Sequence, residues 1–280
     1  SPHVSVVTNY SPNHLDWHDT LEHYRWAKQT MLRRQTPIDL AVLNADDPDV
    51  LNWPARGRRL LFGLSDHGSE GAFLRGHVAI WRAEGFEREF PLCDWLKLPG
   101  RHNLANALAA ATAALGMGAT IEHVRLGLEQ YEPLPHRLQF VGEVDGRKFF
   151  NDSLATTPES AIVGIDAFDA PVVLLSGGYD KQVDLTAMAL HIAAKTKAVA
   201  LMGQTAAKLR TLISGASPLT TVVSEPLPDF RTSFQWAWDH SAPGDVILLS
   251  PGCASYDWFR NFADRGAQFS LCVRARMRGN

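Results

Sequence analysis

A chain of 280 residues has room for two domains or one large one, and its 45% hydrophobic and 20% charged content is that of a globular protein with full cores. A formal net charge of −3 gives no electrostatic ground for a nucleic-acid or membrane partner. Cys93, Cys253 and Cys272 are widely spaced and form no C-x-x-C, which argues against a disulfide scaffold or zinc knuckle and for a reducing, cytoplasmic setting; no apolar run reaches membrane-spanning length and no signal-peptide pattern opens the chain.

Strand and helix signals alternate from the outset. Val4–Thr8 reads as a strand so early that the chain is expected to begin inside a domain. After the polar cluster Asn13-His14-Leu15-Asp16, the stretch Thr20–Arg34 predicts an amphipathic helix, with Asp19 and Glu22 as a capping box. Its apolar stripe runs Leu21, Tyr24, Met31, Leu32, and at 100° per residue Lys28 falls near the stripe's middle. A lysine facing a core must pair, snorkel, lose its proton or be chemically modified, which makes Lys28 and His14 the first candidates for chemistry. Ile38–Leu43 predicts a second strand, ending in Asn44-Ala45-Asp46-Asp47-Pro48, and Arg59–Gly63 a third. His77–Arg82 and Phe86–Phe90 predict an antiparallel edge or hairpin; Leu98–Asn103 then leads into helices Leu104–Leu115 and Ile121–Gln130.

Tyr131-Glu132-Pro133-Leu134-Pro135 marks a boundary, giving expected domains 1–134 and 135–280. Phe140–Asn151 predicts a hairpin turning at Asp145-Gly146. Strands Val172–Leu175, Ala198–Met202 and Val246–Leu249 then alternate with helices at Pro158–Ala167, Thr186–Thr196, Ala206–Ser214 and Phe230–Ser241, the pattern of an open, Rossmann-like parallel α/β sheet. In such sheets ligands bind beyond the carboxyl ends of the strands, so three segments stand out. Asn151–Pro158 carries Thr157 as a cap with Pro158 at the first helical position. Ser176–Lys181 offers Gly177-Gly178 backbone N–H groups and the charge of Lys181 to an anion. Ser250–Ser255 leads to a helix expected to carry Phe259 and Phe262. Each segment taken alone is a weak signal: a Gly-Gly after a strand is more often a plain turn, and Ser255 also reads as a helix cap.

In order, these motifs resemble the Mur ligase family. The stretches are Asn13-His14-Leu15-Asp16 with Tyr24-x-x-x-Lys28; Leu43-Asn44-Ala45-Asp46-Asp47; Pro99-Gly100-Arg101-His102-Asn103-x-x-Asn106; and Leu134-Pro135-His136-Arg137. Asn151-Asp152-Ser153-x-Ala155-Thr156, Gly177-Gly178-Tyr179-Asp180-Lys181 and Ser250-Pro251-x-Cys253-Ala254-Ser255-x-Asp257-x-Phe259-x-x-Phe262 complete the series. The 151–156 and 250–262 segments resemble most the members that add D-glutamate to UDP-N-acetylmuramoyl-L-alanine in peptidoglycan synthesis. The resemblance implies the later part of a central ATP-binding α/β domain over 1–134, followed by an amino-acid-binding, Rossmann-like domain over 135–280. It implies ATP and Mg2+ as cofactors, two small-molecule substrates, no nucleic-acid or membrane partner, and a monomer when full length.

By the same resemblance, Lys28 is carbamylated and holds magnesium together with His14. Asn103, Asn106, Arg137 and Asp152 contact ATP across the domain boundary; Thr156, Lys181, Ser255 and Phe262 hold the amino acid. Two features depart from the family pattern. No G-x-x-x-x-G-K-[ST] occurs in the 280 residues, so the resemblance implies a ligase lacking its N-terminal domain and the P-loop part of its central domain, and the chain alone is expected not to turn over ATP. Leu154 stands where a lysine is usual, which bears on the amino-acid preference. The alternatives are another Mur or folylpolyglutamate-type ligase, or a homologue that has kept the fold as a non-catalytic binding module.

Overall fold

The computed structural model describes residues 2–10, 20–218 and 220–279. They form two compact units, Ser1–Tyr131 and Glu132–Asn280, each built on its own sheet. Among the described residues no helix is long and apolar enough to cross a membrane.

In the first unit the elements run β1 (Val4–Val7), α1 (Leu21–Arg33), β2 (Leu40–Asn44), α2 (Pro48–Leu51), β3 (Arg58–Gly63), β4 (Gly71–Arg75), β5 (Val78–Ala83), β6 (Phe86–Phe90), α3 (Leu92–Trp95), α4 (Arg101–Gly116) and α5 (Ile121–Gln130). The sheet follows chain order, parallel from β1 to β4 and antiparallel through β5 and β6. Period-two alternation sorts the core: Leu40 and Val42 face the cluster beneath α4 and α5, while Ala41 and Leu43 face the cluster with Leu32 of α1.

The expected capping box at Asp19 and Glu22 gives way to a cap one residue later: Thr20 is the N-cap and accepts from the His23 backbone N–H at 3.1 Å, while Asp19 lies outside the described residues. Helix α4 starts at Arg101 rather than Leu104, so Arg101-His102-Asn103 is its first turn and not a lead-in loop. The short β4, α2 and α3 are too brief for a periodic signal.

The second unit contains β7 (Gln139–Val144), β8 (Arg147–Asn151), α6 (Pro158–Ile165), β9 (Val172–Gly177), α7 (Thr186–Lys195), β10 (Ala198–Met202), α8 (Ala206–Ser214), β11 (Val222–Val223), α9 (Phe230–Asp239), β12 (Val246–Leu249) and α10 (Phe262–Met277). Its sheet order is β11-β10-β9-β12-β8-β7, parallel except for the β7–β8 hairpin. Val172, Leu174, Val246 and Leu248 face the α6–α8 layer; Val173, Leu175, Ile247 and Leu249 face α9 and α10. Such strands, covered on both faces, read as continuous apolar runs, and the open α/β sheet expected from them is the one observed. Thr157 caps α6 by accepting from the Ser160 N–H, with Pro158 at its first position.

Candidate functional site

Strands β8, β9, β10 and β12 run parallel, and at their carboxyl ends the chain leaves the sheet in loops that are laced together. Gly177 N donates to Pro251 O at 2.9 Å, Tyr179 N to Ala254 O at 2.9 Å, and Gly178 N to Thr205 Oγ1 at 3.0 Å. The sequence suggested these glycine N–H groups as an anion cradle; the structure spends them on neighbouring loops instead. Glycine is required here by close approach: with φ at +153°, a Cβ on Gly178 would lie 2.2 Å from Ala254 O.

Three buried polar side chains organise this cluster. Asn151 Nδ2 reaches His136 Nδ1 (3.1 Å), Gly266 O (2.9 Å) and Ser270 Oγ (3.2 Å), tying β8 to α10 and to the segment after the unit boundary. The His136 ring packs edge-to-face on Phe262, and burial lowers its pKa. Asp152 accepts from Ser250 Oγ at 2.7 Å and Leu138 N at 3.1 Å; burial outweighs both bonds and the charge of Arg137, and its pKa is pushed up to about 6. Gly164 of α6 leaves room for this pair, since a Cβ there would stand 2.7 Å from Asp152 Oδ2.

Arg265 of α10 is 0% exposed. It donates from Nε to Ser153 Oγ (3.0 Å), from Nη2 to Ser153 O (3.0 Å), and from Nη1 to Cys253 O (3.0 Å) and Ala254 O (3.3 Å). Burial pulls its pKa down to about 10. Asn151, His136, Thr205 and Arg265 were not singled out as site residues by sequence reasoning. Arg265 had a legible signal, an arginine on the face shared with Phe269 and Val273, both buried.

Of the residues expected to form the site, Arg137, Asp152, Thr156, Lys181, Ser255 and Phe262 all belong to this unit. Asp152 is buried beside Leu138, Ser255 is buried, Thr156 is half-buried, and Arg137 and Lys181 are exposed. Phe262 O accepts from Ser153 Oγ at 2.7 Å, and Ala155 O accepts from Gly252 N at 3.0 Å, so the 151–156 and 250–262 segments meet. The helix expected to carry both Phe259 and Phe262 starts only at Phe262, with Asn261 as its cap; Phe259 belongs to a turn whose N–H bonds back to Ser255 O. Ser255 is therefore not a helix cap. Leu154 is half-buried, and its N–H bonds to His136 O at 2.9 Å.

In the first unit the expected buried Lys28 is not found. The buried residues of α1 are Tyr24, Gln29 and Leu32; Leu21 is 43% exposed and Lys28 is exposed, its Nζ 5.4 Å from the centre of the Tyr24 ring. The long stem snorkels along an aromatic face to solvent, so burial cannot be what would favour a carbamate there. Lys28 lines a recess of about 350 Å³ with Thr8, Asn9, Tyr10, Tyr24 and Trp53. His14 lies outside the described residues.

Magnesium favours carboxylate and water oxygens. Among the described residues no group of three or more His, Cys, Asp or Glu side chains is placed to hold a metal ion. Of the expected magnesium pair, Lys28 alone lies among the described residues. Asn44 and both aspartates of the Asn44–Asp47 motif are engaged in turns: Asn44 Nδ2 binds Thr8 O, Asp46 accepts from Leu64 N, and Asp47 caps α2 and accepts from Tyr10 N. Asn103 is buried, with Nδ2 2.6 Å from Pro99 O, and Asn106 is exposed; both lie on α4, across the sheet from α1 and Lys28.

The Mur ligase middle domain matches residues 1–114, and the Mur ligase glutamate ligase domain matches residues 136–253. The chain belongs to the Mur ligase family. It is 42% identical over 282 residues to a protein of Symbiobacterium thermophilum named UDP-N-acetylmuramoylalanine–D-glutamate ligase, and 37% identical over 290 residues to one of the same name from a Roseiflexus species. Each alignment covers 98% of this chain but 61% of the relative's length. In fold the chain is similar to the MurC ligase of Thermotoga maritima (TM-score 0.69, 16% identity, 98% of this chain and 60% of that one). It is likewise similar to the MurF ligase of the same organism, solved with ADP (TM-score 0.67, 17% identity, 99% and 63%).

Proposed function

We propose that this chain is the part of an ATP-dependent carboxylate–amine ligase that holds the incoming amino acid and part of the nucleotide, and that the amino acid is D-glutamate. The observation that carries this reading is the 37–42% identity, across 98–99% of the chain, to relatives named as D-glutamate ligases. Residues 1–134 are assigned to the later part of the central ATP-binding domain and 135–280 to the amino-acid-binding domain. In the proposed reaction, the γ-phosphoryl group of ATP moves to the carboxylate of UDP-N-acetylmuramoyl-L-alanine, releasing ADP. The D-glutamate amine attacks the acyl phosphate, and the tetrahedral adduct expels phosphate as the amide forms. Positioning of the reactants and neutralisation of developing charge supply the rate.

In this assignment Asn103, Asn106, Arg137 and Asp152 face ATP. Thr156, Lys181, Ser255 and Phe262 face the amino acid, where a lysine cation and hydroxyl donors suit carboxylates. His14 and a carbamylated Lys28 are assigned to magnesium. The substrates are small molecules, and the intact enzyme is proposed to act as a cytoplasmic monomer. Leu154, half-buried in the first of the loops at the amino-acid site, favours a second reading in which another amino acid is preferred.

Backbone NMR of the 280-residue chain separates the two. D-glutamate is expected to shift Thr156, Ser255 and Phe262 while L-glutamate, D-alanine and 2,6-diaminopimelate do not. A stronger response to any of those three overturns the D-glutamate assignment.

A further inference from the structure

A guanidinium taken wholly out of water is costly unless its charge is matched, and arginines buried in cores ordinarily meet a carboxylate. Every acceptor that Arg265 meets among the described residues is neutral: the hydroxyl and carbonyl of Ser153, and the carbonyls of Cys253 and Ala254. Asp257, whose charge also reaches it, is held by the backbone N–H groups of Gln204 and Trp258, each at 3.0 Å. The positive charge beneath the loop cluster is therefore only partly balanced, and burial keeps salt from screening it.

The placement is as specific as the charge. Arg265 Nε donates to Ser153 Oγ, and that hydroxyl donates onward to Phe262 O at 2.7 Å, a chain that fixes the start of α10 against the loop after β8. The two Nη1 bonds fix the carbonyls immediately before Ser255. One side chain thus sets the spacing between the two loops that carry Thr156 and Ser255. A neutral side chain able to donate hydrogen bonds would lace the loops without the cost of a buried charge, so the charge itself asks for a role.

We infer that Arg265 is a specificity-positioning residue: it aligns the two loops of the amino-acid site and supplies the only partly balanced positive field by which that site selects a substrate with an acidic side chain over its neutral amide. This rests on the proposed D-glutamate reading and goes beyond it by naming the group that distinguishes glutamate from glutamine. Arg265 is not a catalytic residue, because it is sealed from substrate by Ser153, Cys253 and Ala254.

The test is the affinity of the 280-residue chain for D-glutamate and for D-glutamine, read by NMR titration in wild type, Arg265→Gln and Arg265→Lys. Wild type is expected to prefer D-glutamate. Arg265→Gln is expected to lose about tenfold in D-glutamate affinity with little change for D-glutamine, the scale of one desolvated charge pair. Arg265→Lys keeps the charge and loses the fork, so both affinities fall together and the preference stays. An Arg265→Gln protein weakened equally for both ligands shows a structural clamp only and overturns the inference. If Arg265→Gln does not fold, Arg265→Lys decides, and loss of its preference for D-glutamate overturns the inference. A wild-type chain that binds neither ligand overturns the D-glutamate reading itself, and the inference with it; a changed ratio in the variants is a question only once that binding is seen.

Discussion

Replacing Asp152 with asparagine separates what this carboxylate costs the fold from what it does in the site. Asp152 is 5% exposed, and burial raises its pKa from an ordinary 3.8 to about 6, against the lowering by Ser250, Leu138 and Arg137. Because the folded pKa lies above the unfolded one, the folded state binds the proton more tightly. Ionisation therefore subtracts stability progressively as pH rises from about 4 to about 6, and the loss is complete above that. A separation of roughly two units amounts to about 3 kcal/mol at about pH 8 and to about 0.5 kcal/mol at about pH 4. The Asp152→Asn variant keeps both hydrogen bonds, with Oδ1 accepting from Leu138 N–H and Nδ2 donating to Ser250 Oγ, and removes only the charge. Urea unfolding of both proteins across this pH range reads the difference. The variant is expected to be the more stable by about 3 kcal/mol at about pH 8, with the gain shrinking toward zero near pH 4. A variant less stable than wild type at neutral pH, or a gain that does not change with pH, refutes the account of Asp152 as a desolvated carboxylate held in place for function.

Other outcomes follow from the same geometry. Gly178→Ala forces a Cβ to within 2.2 Å of Ala254 O at a φ of +153°. It is expected to cost about 2–4 kcal/mol of stability in urea unfolding, and a loss within experimental error would show that the strap is not tightly packed. Lys28→Met, at an exposed position, is expected to change stability by no more than about 1 kcal/mol. A larger loss on thermal unfolding would mean that the ammonium beside the Tyr24 ring supports the fold there. These 280 residues hold no P-loop, so the chain alone is expected to release no phosphate from ATP in the presence of both substrates. Release that depends on D-glutamate would contradict this.

The contrast between Lys28 and Arg265 shows what could be read in the sequence and what could not. Both are cations on the apolar side of an amphipathic helix, and helical spacing flags them alike. Lys28 sits one turn beyond Tyr24 at the rim of a recess, and a flexible four-carbon stem carries its amine to solvent. Arg265 sits one turn into α10 beneath two loops, and its planar fork finds four acceptors without leaving the core. Periodicity reports which face a residue is on; it does not report whether neighbouring loops close over that face.

Strands β9, β10 and β12 were legible because both of their faces are buried, which leaves an unbroken apolar run, whereas the two-residue β11 gave no signal. The loops were legible as places but not as chemistry. Gly177-Gly178 looked like an anion cradle because a sequence shows the available N–H groups and not the Pro251 carbonyl and the Thr205 hydroxyl that consume them. Asn151 and His136 are fifteen positions apart and were read as separate motifs, although the fold joins them at 3.1 Å.

The activity proposed for the intact ligase is the joining of D-glutamate to UDP-N-acetylmuramoyl-L-alanine. Fusing the unmatched part of the Symbiobacterium thermophilum relative to this chain, and measuring ATP-dependent phosphate release and amide product with a panel of amino acids, tests it. Product is expected with D-glutamate, little with L-glutamate or D-glutamine, and none when Lys181 is replaced by alanine. A folded fusion that ligates a different amino acid, or forms no amide while the relative itself does, contradicts it.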